Sequence, residues 1–164
     1  MLRALFPGSF DPPTNGHLNL LNRASHIFDE IFVVIAANPG KQYTFTADER
    51  AAMMTDLVQG FSNVSVHLWD RLIVKFAEEV NARVMIRGVR ALADFGYEFE
   101  LSMINKGLNP QVETMFMPTD PQYFVLRSTS IKELARLGGD ISTMVPAAVA
   151  EALHERLGPG RRQR

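Results

Sequence analysis

His17 is the residue of this chain best placed to do chemistry. It closes the string Phe6-Pro7-Gly8-Ser9-Phe10-Asp11-Pro12-Pro13-Thr14-Asn15-Gly16-His17. The string lies between an apolar run, Leu2 to Phe6, and a segment whose apolar residues fall at helical spacing: Leu18, Leu20, Leu21, Ala24, Ile27 and Phe28. The run reads as a strand and the segment as a helix that Thr14-Asn15-Gly16-His17 opens. The first turn of a helix presents unpaired backbone N–H groups and the positive end of the helix dipole, which together favour phosphate. An imidazole there can donate to a phosphate oxygen. Ser9 and Thr14 add hydroxyls, and Gly8 and Gly16 let the main chain approach a ligand closely. Neither GxxxxGK[ST] nor GxGxxG occurs, so the two commonest phosphate loops are absent.

Two further groups carry cations. Arg87-Gly88-Val89-Arg90 follows the short strand Val84-Met85-Ile86, and Asn38-Pro39-Gly40-Lys41 follows the strand Glu30 to Ala37. Arginines at a strand end, separated by a glycine, can converge on phosphate through charge-assisted bonds. Each residue taken singly has a plainer reading. Lys41 is a surface lysine in a turn, Glu98 an exposed carboxylate on an amphipathic helix, and Ser130-Ile131-Lys132-Glu133 a capping box.

The elements that must position these residues alternate regularly. Ile31-Phe32-Val33-Val34-Ile35-Ala36 is the continuous apolar run of a strand buried on both faces. Thr46-Ala47-Asp48-Glu49 caps a helix to about Gln59, Val64 to Leu68 is a strand, and Leu72 to Val80 a helix. Phe95 to Leu108 is helical, Thr114 to Met117 a fifth strand, and Asp120-Pro121 a loop. The helix opened by Ser130 stops at Gly138-Gly139, and Pro146 begins a last helix reaching Leu157. The tail 158–164 is expected to be loose. Alternation of this kind predicts an α/β fold, a doubly wound five-stranded parallel sheet with C-terminal helices, formed by residues 1–164 as one domain. Ligands of such sheets bind beyond the C-terminal strand ends. Pro7–His17, Asn38–Lys41, Asp70 and Arg87–Arg90 all follow strands and so share one rim.

Composition bounds the function. The chain has 164 residues, 46% hydrophobic and 21% charged, as in ordinary globular proteins. A net charge of −1 offers no electrostatic case for nucleic acid or an anionic membrane. The absence of cysteine excludes disulfides, thiolate metal sites and a cysteine nucleophile. No signal-like segment or membrane-length apolar run is read, so a cytoplasmic location is expected.

Ser9 through His17 resembles the opening of the nucleotidyltransferase superfamily with its HxGH or TxGH signature, here Thr14-Asn15-Gly16-His17. Arg87 through Glu98 and Asn38 to Lys41 closely resemble one member family, the phosphopantetheine adenylyltransferases, in register from Leu2 to Leu157. The resemblance implies transfer of the adenylyl group of ATP to 4′-phosphopantetheine, giving 3′-dephospho-coenzyme A and pyrophosphate. It implies that His17, Lys41 and Arg90 are catalytic, His17 as a donor to the α-phosphate in the transition state. Ser9, Phe10, His17, Gly88, Val89, Arg90 and Glu98 would bind ATP, with Tyr123, Phe124, Val125, Leu126, Arg127, Ser128 and Thr129. Ser9, Lys41, Ile73 and Arg87 would hold phosphopantetheine. Mg²⁺ is expected on the ATP phosphates, with no metal site of the protein's own. A hexamer is expected, and coenzyme A is a plausible feedback ligand. Another phosphorylated acceptor, or nucleotide binding without catalysis, are the alternatives. One departure stands out: relatives commonly carry a run of serines where this chain has Arg127-Ser128-Thr129, and Arg127 is expected to turn toward the triphosphate.

Overall fold

The computed structural model describes residues 1–38, 40–124 and 127–160. Five strands alternate with helices: β1 (Arg3–Gly8), α1 (Asn15–Ser25), β2 (Glu30–Ala36), α2 (Ala47–Leu57), β3 (Val64–Trp69), α3 (Ile73–Glu79), β4 (Val84–Val89), α4 (Leu92–Leu108) and β5 (Glu113–Pro118). A single 3₁₀ turn, Pro121–Tyr123, leads to α5 (Ser128–Arg136) and α6 (Ala147–Leu157). All strand pairs are parallel, in the order β3-β2-β1-β4-β5.

Strand periodicity divides the interior. Ala4 and Phe6 of β1 and Ile31, Val33 and Ile35 of β2 meet Leu20, Leu21 and Ala24 of α1 and Met54 of α2. The intervening Leu5, Phe32 and Val34 meet Phe76 and Ala77 of α3 on the opposite face. A third cluster joins Ile131 and Ala135 of α5 to Val149 and Leu153 of α6 over Phe45. The chain order reverses between β1 and β4, so these neighbours form the switch point where doubly wound sheets open a crevice.

Three expectations shift. β4 runs on past Ile86 because its ladder with β5 continues to Val89↔Pro118, making Arg87, Gly88 and Val89 strand residues. α4 begins at Leu92, a turn before Phe95. Ser130 is not a cap: the first helical bond of α5 runs from Ile131 N–H to the Arg127 carbonyl, so Arg127 is the N-cap residue and Ser130 lies inside the helix. The stop at Gly138-Gly139 holds. Gly138 takes φ +74, and its N–H and that of Gly139 return to the carbonyls of Ala135 and Leu134, a Schellman ending that favours glycine. Residues 161–164 of the expected tail lie outside the described residues.

Candidate active site

The Thr-x-x-His spacing is a capping box in which histidine takes the usual place of glutamate. Thr14 is the N-cap of α1, its hydroxyl accepts from His17 N–H at 3.3 Å, and its own N–H donates to His17 Nδ1 at 3.0 Å. A backbone N–H can only donate, so Nδ1 accepts and the ring proton sits on Nε2. Burial, then the charges of Arg90 and Arg87, lower the imidazole pKa from 6.5 to about 4. His17 is therefore a neutral donor at pH 7. The Phe10 ring meets it edge-on with centroids 5.0 Å apart.

The crevice beside it exists because two strands part. β1 and β4 pair only at Ala4↔Val84 and Leu5↔Met85. Beyond that point Pro7, which has no N–H to give, occupies a position with no ladder partner on the β4 side. Its carbonyl accepts instead from Arg87 Nη1 at 2.7 Å. The same guanidinium takes Glu98 of α4 side-on, Nε–Oε2 2.5 Å and Nη2–Oε1 2.8 Å.

Two cavities meet on this pair. The larger, about 380 Å³, is lined by Ser9, Phe10, His17, Arg87, Gly88, Arg90, Asp94, Glu98, Tyr123, Arg127, Ser128 and Thr129, among others. The smaller, about 280 Å³, shares Ser9, Arg87 and Glu98 and adds Ile73, Met85, Leu101 and Asn105. Asp94 links two further cations: Arg90 Nε donates to Oδ2 at 3.1 Å, and Arg127 Nη2 lies 3.5 Å from Oδ1. Arg127 thus faces this cavity while remaining half exposed. A Cβ at Gly88 would stand 2.3 Å from Leu20 Cδ1, so any larger residue there must displace the end of that buried side chain.

Some expected residues are not gathered. Lys41 lines neither cavity; it sits in an exposed turn closed by Gly40 N–H to Asn38 Oδ1 and Lys41 N–H to the Asn38 carbonyl. Val89 contributes its carbonyl to Thr119 N–H at 3.0 Å, and exposed Phe124 lines neither cavity. Val125 and Leu126 lie outside the described residues. Asp70 is exposed beside Arg71.

Sequence reasoning missed the groups that hold this rim. Arg50 is buried, and its guanidinium donates to the carbonyls of Ser9 (2.6 Å), Ala36 (3.0 Å) and Phe45 (3.2 Å), joining the ends of β1 and β2. Asp11 accepts from the N–H groups of Thr44 and Phe45 and from Lys132 at 3.1 Å, tying the loop after β1 to α5. Asp94 had one legible signal: it stands four residues before the expected Glu98 on a helix, hence on the same face.

Comparison with known proteins identifies the family and the fold. The chain matches the cytidylyltransferase-like family over residues 5–134. It is 47% identical to the phosphopantetheine adenylyltransferase of Lacticaseibacillus casei, over 94% of this chain and 93% of the relative. It is 44% identical to that of Desulfosudis oleivorans, over 94% and 92%, and 46% to that of Vesicomyosocius okutanii, over 94% and 98%. A crystal structure of a candidate nicotinate-nucleotide adenylyltransferase from Vibrio parahaemolyticus shares the fold: TM-score 0.69, 22% identity, 94% of this chain and 99% of that one.

Proposed function

The chain belongs to the phosphopantetheine adenylyltransferases of the cytidylyltransferase-like family, and on that premise we propose that it transfers the adenylyl group of ATP to 4′-phosphopantetheine. The observation that carries this reading is the pair of cavities meeting at Ser9 and Arg87 beyond the ends of β1 and β4. ATP takes the larger, beside His17, Gly88, Arg90 and the α5 N-terminus. Phosphopantetheine takes the smaller, its chain along Ile73 and Leu101 and its phosphate at Arg87.

A phosphate oxygen of phosphopantetheine attacks the α-phosphorus, the bond to the β-phosphate oxygen breaks, and pyrophosphate leaves. The nucleophile is anionic near neutral pH, so no strong base is needed. The protein's part is positioning and stabilising charge. His17 donates from Nε2 to the α-phosphate as charge builds. Arg87 and Arg90 offset the repulsion between two polyanions, and Lys41 joins them once substrate is bound. Mg²⁺ on the triphosphate supplies further charge neutralisation. The triphosphate oxygens, hard anionic donors of the kind Mg²⁺ prefers, are its ligands on this reading.

Leu92, Phe95, Phe99 and Met103 recur at helical spacing on α4, and all are exposed. That apolar stripe supports assembly into an oligomer, with a hexamer the expected form. A stable monomer on sizing would overturn this. Among the described residues no helix is long and apolar enough to cross a membrane. A cytoplasmic location is part of this proposal. Coenzyme A, which shares the pantetheine arm, is a feedback ligand on this reading, and competition with phosphopantetheine tests it.

The deciding assay is pyrophosphate release from ATP with a panel of acceptors. Release with phosphopantetheine, and not with nicotinamide mononucleotide or sugar and polyol phosphates, is expected. Release only with another acceptor, or none at all, overturns the reading.

A further inference from the structure

We infer that Arg50 is a positioning residue for ATP: by holding the Ser9 carbonyl it keeps the Ser9–Phe10 peptide turned so that the Phe10 N–H faces the larger cavity and donates there to a phosphate oxygen. The inference rests on the assignment of that cavity to ATP.

Arg50 is 1% exposed and lines neither cavity. Its guanidinium is spent on main-chain carbonyls: Nη1 donates to Ser9 at 2.6 Å and Ala36 at 3.0 Å, and Nε to Phe45 at 3.2 Å and Thr46 at 3.3 Å. The ring of Tyr43 covers its flat face, 3.9 Å from Cζ. Burying a cation is costly. Bonded in this way, the cation fixes backbone rather than neutralising a carboxylate.

The shortest of these bonds goes to a strained peptide. Phe10 takes φ +49, a region that residues with a Cβ rarely occupy. Turning the Ser9–Phe10 plane over would return Phe10 to the extended region and relieve the strain. It would also exchange the carbonyl and the N–H, which point opposite ways across a trans peptide. The Ser9 carbonyl would then confront the phosphates. Arg50 opposes that turn. With the carbonyl drawn back to a guanidinium outside both cavities, the N–H points the other way, toward the larger cavity that Ser9 and Phe10 line. Among the described residues this N–H has no partner of its own. A charged donor on the carbonyl also polarises the peptide and strengthens its N–H. Phe10 lines the larger cavity and not the smaller, so the donor serves ATP.

The test is calorimetric binding of ATP and phosphopantetheine to Arg50→Lys, alone and combined with Phe10→Ala or Phe10→Gly, each checked for folding by thermal melt. Arg50→Lys keeps the charge but not the grip of a guanidinium. It should weaken ATP binding about tenfold, the bias of a left-handed residue toward relaxing, with phosphopantetheine within about twofold. The loss should persist in the Phe10→Ala background and shrink to within about twofold in Phe10→Gly, because glycine adopts a positive φ without cost. A merely structural Arg50 would lose equally in both backgrounds, and that result overturns the inference. So does unchanged ATP affinity in Arg50→Lys, which would leave the charge acting through space. Where Arg50→Lys fails to fold, two measurements with Arg50 in place decide. Phe10→Ala and Phe10→Gly should bind ATP within about twofold of each other, since the latch holds both; binding about tenfold tighter in Phe10→Gly overturns the inference. The Phe10 amide of ¹⁵N-phenylalanine-labelled parent should exchange its hydrogen about tenfold more slowly or less with ATP bound, and unchanged exchange overturns the inference. A parent that fails to bind ATP overturns it together with the proposed function; a parent that binds ATP and releases pyrophosphate confines the failure to Arg50.

Discussion

Thr14 and His17 cap each other, and in doing so the backbone chooses the tautomer of the imidazole. The N–H of Thr14 occupies Nδ1 at 3.0 Å, so the only ring N–H is on Nε2 of a side chain that lines the larger cavity. A helix start and a catalytic donor are one structure.

His17→Ala should therefore lower kcat by about two to three orders of magnitude, the usual effect of losing one transition-state donor. ATP affinity, measured by calorimetry, should change less than about threefold, since the turn and helix dipole survive. Collapse of ATP binding with turnover intact would make His17 a ground-state ligand.

The acid limb of the pH–rate profile should belong to the substrate. With its pKa near 4, His17 stays neutral through the range in which a phosphate monoester takes up its second proton, at about pH 6. The limb should keep the same midpoint in His17→Gln. Stability is linked in the opposite sense to a salt-bridged histidine. The folded pKa lies below the unfolded 6.5, so the unfolded chain binds the proton first, and stability from this group is lost as pH falls from 6.5 toward 4. Melts at pH 7 and pH 4.5 should show a smaller difference for His17→Gln than for the parent.

Arg87→Ala should chiefly raise KM for phosphopantetheine and Arg90→Ala chiefly KM for ATP, each by about tenfold or more for one charged hydrogen bond. Lys41→Ala should follow Arg87. Equal effects on both substrates for all three variants would leave only a shared cationic funnel.

Arg127 is half exposed and 3.5 Å from Asp94, a pair that contributes little to folding. Arg127→Ser should thus melt within about 2 °C of the parent, since roughly 1 kcal/mol shifts a chain of this size by 2–4 °C. It should bind ATP about tenfold more weakly if the guanidinium moves from Asp94 to the triphosphate, a charged hydrogen bond of about 1.5–3 kcal/mol. Unchanged ATP affinity would make it a solvated surface residue.

Gly88→Ala should destabilise by about 1–3 kcal/mol, the cost of overpacking, because the new methyl enters the space of Leu20. A melt unchanged from the parent would show that Leu20 yields freely.

What the sequence by itself determined is what neighbours along the chain decide. The β-branched runs made strands, the 3.6-residue spacing made helices, and their alternation required parallel crossovers and a shared rim. Thr14 and His17, three residues apart, were legible for the same reason. Tertiary structure decided the partners that lie far apart in sequence. Pro7 and Arg87, Ser9 and Arg50, Asp11 and Lys132, and Asp94 and Arg127 meet only because the sheet order places β1 beside β4 and folds α5 over the loop after β1. The parting of β1 from β4, and with it the crevice, is a property of register and twist between strands that no single segment encodes. The start of α5 at Ser128 belongs to the same class. Local chemistry favoured Ser130 as the cap, but the helix begins earlier, with Ile131 buried against α6 and the Ser128 hydroxyl 3.4 Å from the Pro12 carbonyl. Hydrogen-bond propensity along a chain is short-ranged, whereas a buried charge takes whichever partner the packing brings within about 3 Å.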